Sequence, residues 1–167
     1  MPKQKQKNPD VAIAGGGFVG LTLALALAGP ESEPSGLKVT ILNAAAAKGQ
    51  GRPDQRASAI TAASRRMLMR LGAWNGLDEL AQPVSDMVIT DSRLDQAARL
   101  PFLVFKTGDG AEDGMPAAWI VENAHLAERL RGAVAGNRSI QVRQGARVNG
   151  FASDGAGVTV ETADGGP

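Results

Sequence analysis

The first clear apolar run is Val11 to Ala14, four residues with no polar alternation. Such a run predicts a strand buried on both faces of a parallel sheet. Three glycines follow. Phe18 to Ala28 is then apolar almost throughout, a Leu- and Ala-rich stretch that predicts a helix stopped by Gly29-Pro30. After the polar connection "ESEPSG", Leu37 to Leu42 predicts the second strand. The segment "DQRASAITAASRRMLMRLGAW" has the helical period, with Ile60, Ala63, Met67, Leu68 and Leu71 on one stripe and Gly72 closing it. "DMVIT" at Asp86 to Thr90 and "LPFLVF" at Leu100 to Phe105 predict strands, separated by the polar "DSRLDQAAR" and followed by the loop "KTGDGAEDGMP". Ala118 to Val121 predicts another strand and runs into "ENAHLAERLRGAVAG". There Leu126, Leu130 and Val134 recur every four residues, Asn123 can cap the start and Gly136 closes the end. Three strands finish the chain: Ile140 to Arg143, Ala146 to Phe151 and Gly157 to Thr162, the last two turning at Ser153-Asp154-Gly155 as a hairpin.

Together these elements predict an α/β fold that begins as a Rossmann-like βαβ sheet and later inserts antiparallel strands. Composition adds mostly exclusions. With 167 residues, 43% apolar and 21% charged, the chain can bury a core of its own. Eighteen basic residues against seventeen acidic leave a net charge of +1, and no basic face appears beyond Lys3, Lys5 and Lys7. Nucleic acid is therefore not an expected partner. The absence of cysteine excludes disulfides and thiolate chemistry, and a single histidine, His125, cannot build a His-rich metal site. No metal is expected.

The lysines, the apolar run and a closing "ALA" together imitate a secretory signal. Asn8-Pro9-Asp10 breaks that arrangement, and three glycines stand where a signal needs continuous helix. The stretch from Phe18 is also too short to span a bilayer. A cytoplasmic protein is expected.

The chemistry in the opening stretch is that of a dinucleotide turn. Gly15, Gly17 and Gly20 have the spacing G-x-G-x-x-G between a strand and a helix. In such a turn the first glycine allows the tight bend, the second lets backbone approach a pyrophosphate, and the third lets helix pack on strand. The helix N-terminus, at Phe18 and Val19, would aim free N–H groups at the phosphates. An ordinary glycine turn is the bland alternative, and the βαβ context favours the dinucleotide. That context does not choose between FAD and a nicotinamide. One position dissents: an Asp or Glu is expected at the end of the second strand to bond the ribose, and Asn43 stands there, twenty-three residues after Gly20. An amide can accept the hydroxyl hydrogen but without charge assistance, so either Asn43 serves as a weaker ribose contact or affinity is reduced here.

Elsewhere the bland readings prevail. Arg65, Arg66 and Arg70 fall mostly off the apolar stripe and read as solvated charges. Met67, Met69 and Met87 read as core filler, Trp74 and Trp119 as packing residues, and His125 as a solvent-facing polar residue. Arg56 sits beside Asp54 before the stripe begins, where a surface ion pair is the simplest pattern-based reading. No nucleophile–base pair or paired carboxylates suggest hydrolysis, and no catalytic residue is assigned.

The stretches "DVAIAGGGFVGLTLALALA", "DQRASAITAASRRMLMRLGAW", "PVSDMVITDS" and "WIVENAHLAERL" together resemble the flavin-dependent aromatic hydroxylases of the para-hydroxybenzoate hydroxylase type. Within that group the chain looks most like ubiquinone-biosynthesis hydroxylases acting on polyprenylated phenols. The resemblance implies FAD as cofactor and NADPH or NADH as electron donor. It also implies transfer of one oxygen atom of O2 to a phenol ring, with the difficult chemistry supplied by the cofactor. It raises Arg56 to an FAD contact, and Asn123 to a residue near the flavin chain as well as a helix cap. It implies a flexible N-terminus at 1–9, an FAD-binding part at 10–82, partial substrate-domain strands at 83–121, and a return helix and β-meander of the FAD domain at 122–167. A quinone-pathway substrate leaves open peripheral association with the inner membrane or with a complex of ubiquinone enzymes.

Relatives of this type are more than twice as long. The expectation is an N-terminal fragment with an incomplete second domain, inactive as a hydroxylase and binding FAD weakly or not at all. A nicotinamide-dependent dehydrogenase and a non-catalytic nucleotide-binding module are the competing readings. "RASAI" after Asp54-Gln55 and the antiparallel excursion argue against the dehydrogenase.

Overall fold

The computed structural model describes residues 8–29, 36–44, 54–90, 101–106 and 115–163. The N-terminal lysines, Pro30, most of "ESEPSG", the connection 91–99, Leu100 and most of the glycine-rich loop after Lys106 lie outside the described residues.

The chain opens as expected with β1 (Val11–Ala14), α1 (Phe18–Ala28) and β2 (Val39–Asn43). β1 and β2 pair in parallel, Val11 opposite Val39 through Ala14 opposite Leu42. β3 (Ala57–Thr61) and α2 (Ala62–Arg70) follow, then β4 (Gln82–Val84), β5 (Asp86–Thr90), β6 (Pro101–Lys106) and β7 (Ala118–Glu122). α3 (Asn123–Ala135) leads to β8 (Ile140–Gln144), β9 (Val148–Asp154) and β10 (Gly157–Thr162). β8 joins the parallel sheet beside β2, giving the order β1-β2-β8. That is the 3-2-1 half of a Rossmann sheet, with β8 as the third strand. β3, β7 and β4 form an antiparallel sheet with β7 in the middle, while β5–β6 and β9–β10 are two-stranded ribbons.

The core lies where α1 and α3 pack together and on the parallel sheet. Leu21, Ala24 and Leu25 meet Leu126, Leu130 and Val134, with Ile13, Val39 and Ile41 beneath them and Trp74, Leu77, Trp119 and Val121 at the side. The every-fourth-residue pattern of α3 is thus its buried stripe. α1 is apolar on all sides, and Val19 and Leu23 remain exposed on its outer surface. No helix among the described residues is long and apolar enough to cross a membrane.

Several expectations are corrected. β1 is not buried on both faces: Ile13 is buried, but Ala12 and Ala14, on the opposite face, are exposed, and β1 stands at the edge of its sheet among the described residues. The segment Ala57–Thr61 is a strand rather than the start of a helix, pairing with Ala118–Glu122. Ile60 fits both periods, and β7 decides between them. α2 starts one residue after Thr61, whose Oγ1 accepts from the Ser64 N–H at 3.2 Å as an N-cap. Its inward stripe runs through Arg65 to the buried Leu68 and the half-buried Leu71. Met67 and Met69 lie off that stripe and are exposed, and Met87 on β5 is exposed as well, so none of the three is core filler. Trp74 and Trp119 are buried as expected, and His125 is half-exposed, 3.6 Å from Glu122. The final hairpin turns after Asp154, whose Oδ1 accepts from the N–H groups of Ala156 and Gly157.

Candidate functional site

β1, β2 and β8 are parallel, so their carboxyl ends Ala14, Asn43 and Gln144 share one edge of the sheet. Ligands of open α/β sheets bind outside that edge. The chain leaves β1 through Gly15, whose φ of +116° is closed to ordinary L residues. The Gly15 N–H donates to the Leu42 carbonyl at 2.9 Å, which ties the turn to β2. Gly20 lies over this turn, and a Cβ there would overlap the Gly15 carbonyl oxygen. Only glycine at 20 lets the first turn of α1 sit this close. Gly17 is the opposite case. It is the helix N-cap, in extended conformation, and a Cβ placed on it would meet nothing within 4 Å. The backbone there faces open space, so a ligand can approach it closely.

α1 has no side-chain cap and no acidic residue in its first turn. Its leading amides, beginning at Phe18 and Val19, have no partner within the helix and stand at the positive end of its dipole. Phe18 is half-buried against the core, while Val19 is 82% exposed. Asn43 closes the other side of the turn. A Cβ on Gly16 would lie 2.8 Å from Asn43 Cγ, and Asn43 Nδ2 donates to Gln144 Oε1 at 2.7 Å.

A second cluster forms where β3 begins. Arg56 donates through Nε to Asp54 Oδ1 at 2.8 Å and through Nη2 to Asp54 Oδ2 at 2.9 Å, a bidentate pair, and its backbone N–H adds a bond to Oδ1 at 3.1 Å. Its side chain is nevertheless 82% exposed. These Arg56 donors, with the Asn123 amide, hold the Asp54 carboxyl well below the usual carboxylate range, and Asp54 raises the Arg56 guanidinium in turn. The surface ion pair expected from sequence is thus present.

Asn123 does not cap α3 with its side chain. Glu122 is the N-cap and Asn123 the first helical residue, buried, with its side chain turned back toward β3. Its Oδ1 accepts from Ser58 Oγ at 2.6 Å, its Nδ2 donates to Asp54 Oδ2 at 3.2 Å, and its N–H donates to the Arg56 carbonyl at 2.9 Å. The β3–β7 register, Ala57 opposite Glu122, brings these groups together. Asn123→Leu keeps the volume but leaves Ser58 without its acceptor and Asp54 without one donor. We expect a loss of about 2 kcal/mol in chemical unfolding, the cost of stranding part-buried polar groups. An unchanged midpoint would show the network to be dispensable.

The structure therefore gathers Gly15, Gly17, Phe18, Val19, Gly20 and Asn43 at the turn, and Arg56 with Asn123 at the head of β3. Sequence reasoning missed Ser58 and Gln144 as members of these clusters. Gln144 carries no signal beyond being the last residue of a strand in register with Asn43. A cleft of about 460 Å³ lies at the other end of α1, lined by Leu25, Gly29, Arg70, Gly72 and Arg138 among others. It faces helix C-termini, the wrong end of the dipole for a phosphate.

A family model described as an FAD binding domain matches residues 8–166. The ubiquinone hydroxylase UbiL of Rhodospirillum rubrum is 31% identical over 164 residues, covering 95% of this chain and 34% of that protein. The ubiquinone hydroxylase UbiM of Neisseria meningitidis is 32% identical over 108 residues, covering 63% of this chain and 22% of that protein. The chain thus spans about a third or less of these relatives' length. Among solved structures, the flavin-dependent monooxygenase PieE in complex with FAD and substrate superposes with a TM-score of 0.67 at 21% identity, over 95% of this chain and 27% of that one. The p-nitrophenol 4-monooxygenase PnpA from Pseudomonas putida gives 0.65 at 19%, over 92% and 35%. These two likenesses are likenesses of fold.

Proposed function

The chain belongs to the family of FAD-binding domains, and from that membership we propose that it supplies the nucleotide-holding part of an FAD-dependent monooxygenase that hydroxylates a polyprenylated phenol. The observation that carries the proposal is the turn itself. Gly15 bends, Gly20 admits the helix, and Gly17 leaves bare backbone before an uncapped helix start. Those features fit a pyrophosphate, and the 31% identity to a ubiquinone hydroxylase supports the phenol as substrate class.

When bound, FAD supplies the oxygen-transfer chemistry, with NAD(P)H as the electron donor. The residues of this chain bind and orient it. The amides from Gly17 into α1 would donate to the pyrophosphate, and Asn43 would bond the adenosine ribose. Arg56, held by Asp54, and Asn123 would contribute the remaining contacts to the cofactor. In this reading residues 10–82 and 122–167 hold the cofactor, and 83–121 begin the part that covers the substrate. Contact with a membrane surface, through the substrate's prenyl tail, belongs to the same proposal.

Thermal shift with FAD and with NADH, each alone, tests it. A chain that spans about a third of its relatives is expected to bind FAD weakly, so FAD should raise the midpoint only slightly and NADH leave it unchanged; stabilisation by NADH alone would overturn the flavin reading. Arg56→Ala is expected to weaken FAD about tenfold, the loss of one charge-assisted hydrogen bond. The Asp54 carboxyl titrates well below its ordinary value, so its hold on Arg56 is complete above the unfolded-chain value of about 4. That hold is lost only as pH falls through the depressed folded value. The Arg56 effect should therefore be level between about pH 5 and pH 8. A tenfold change across that window would remove Asp54 from the account.

A further inference from the structure

Asp54 and Arg56 stand before β3 begins, outside its ladder with β7. Two of the five N–H groups of the Arg56 guanidinium, on Nε and Nη2, go to the Asp54 carboxylate, which leaves three for an acceptor. A pair this open to solvent gains little from its charges and must hold two side chains in one geometry. Asn123 supplies the missing anchor. It is 7% exposed, and Ser58 Oγ donates to its Oδ1 at 2.6 Å. Its Nδ2 donates to Asp54 Oδ2 at 3.2 Å, and its backbone N–H donates to the Arg56 carbonyl at 2.9 Å. The amide has one orientation open to it. A carboxylate only accepts, so Nδ2 must face Asp54 and Oδ1 must face the hydroxyl. One buried residue therefore grips Arg56 at both ends, the carbonyl directly and the guanidinium through Asp54.

We propose that Asn123 is a positioning residue for Arg56, making its contribution to cofactor binding through that arginine rather than at the ligand. This inference rests on the FAD-binding reading above and narrows the part of Asn123 in it. The Asn123 side chain is buried, and each end of its amide already bonds protein. The guanidinium is the group that solvent, and hence a ligand, can reach. The consequence is preorganisation. An arginine already fixed by a bidentate pair loses little freedom when a ligand takes its remaining donors. A loose surface arginine gives up that freedom on binding. The strand register builds the device: Ala57 opposite Glu122 sets the residue before β3 beside the residue after β7.

A double-mutant cycle separates support from contact. Asn123→Leu removes the amide and keeps the backbone bond to Arg56. It is expected to weaken FAD about threefold, a share of the roughly tenfold loss expected for Arg56→Ala. In the Arg56→Ala background the same change should cost nothing further. Ser58→Ala leaves Asn123 in place but frees its amide oxygen. That variant should weaken FAD about twofold, again only where Arg56 is present. It also carries the test if Asn123→Leu folds poorly.

A loss that persists without Arg56 overturns the inference, because Asn123 would then touch the ligand or shape the site at large. Variants that bind FAD as the parent chain does overturn it too. A readout without FAD separates this failure from that of the function. The Arg56 Nε–H signal of the ligand-free chain should exchange slowly with solvent, and faster in Asn123→Leu and Ser58→Ala. If it does so and the parent chain takes up no FAD, the flavin reading falls and the cofactor role of Asn123 falls with it. If the parent chain takes up FAD and the Arg56 signal ignores Asn123 and Ser58, the positioning role alone falls.

Discussion

Gly20→Ala is expected to destabilise the chain by about 3 kcal/mol, the upper part of the range for overpacking, while Gly17→Ala stays within about 1 kcal/mol, the scale of an N-cap change. The two positions share a motif but not a physical role. At Gly20 the new methyl would collide with the Gly15 carbonyl oxygen. That oxygen belongs to a backbone held by a positive φ and by the Gly15 bond to Leu42, so it cannot swing aside as a side chain would. Either α1 lifts from β1 or the turn opens, and both loosen the contacts of Leu21 and Leu25 with the core. For a chain of this size the loss corresponds to a fall of roughly 10 °C in melting temperature. At Gly17 the methyl meets no protein atom, and the extended conformation suits alanine. In the proposed FAD site the cost would fall on the ligand, because the methyl would occupy the open space through which a pyrophosphate would reach backbone amides. FAD affinity should drop at least tenfold, matching one or two lost charge-assisted bonds. Chemical unfolding and FAD titration of both variants separate the roles. A Gly17 variant that melts as low as the Gly20 variant would show the division to be wrong.

This turn was legible in sequence because its constraint is local: glycine spacing between a strand and a helix is visible in one dimension. α3 was legible for the same reason, its buried Leu126, Leu130 and Val134 following the helical period. Failures began where a distant segment decides. Ala57–Thr61 satisfies a helical stripe and a strand alternation equally, and pairing with β7, about sixty residues later, selects the strand. Asn123 has the residue type of a cap, yet Ser58 and Asp54 draw its side chain away from the helix end. The exposure of Ala12 and Ala14 depends on what covers that face of the sheet, which no property of "VAIA" encodes. Gln144 is the extreme case. A polar residue at a strand end acquires meaning only when the register sets it opposite Asn43.

Arg65 is the residue for which pattern reading was most misleading, and its replacement carries the second large effect. Two tryptophan rings flank its guanidinium, at 5.4 Å for Trp74 and 4.7 Å for Trp119, and Nη2 donates to Asp78 Oδ1 at 2.7 Å. Asp78 also accepts from Trp74 Nε1 at 2.8 Å. The cation is only 16% exposed, and its Nε is buried without an acceptor among the described residues. Stacking over both rings must offset that desolvation. Arg65→Ala removes the stacking, the ion pair and the aliphatic stem that fills the gap between α2 and β7. We expect a loss of about 3 kcal/mol, from two cation–π contacts and a partial cavity. Arg65→Met keeps the stem and should lose only about 1 kcal/mol, the cation–π share. A Met variant more stable than the parent would mean that burying the guanidinium costs more than its stacking returns, as buried ion pairs can do. Acid sharpens the distinction. Arg65, and after it Trp74, lower the Asp78 carboxyl below its ordinary value. The stability this brings is complete above the unfolded value of about 4 and is lost as pH falls through the folded one. Asp78 is more than half exposed, so solvent screening keeps that share small. The gap between the parent chain and Arg65→Ala should therefore narrow slightly below about pH 4 without closing, because the stacking on the rings does not titrate. Trp74 and Trp119 are the chain's two tryptophans, so fluorescence-monitored unfolding across pH reads both rings of this clasp; a gap that closed completely in acid would assign the whole effect to Asp78.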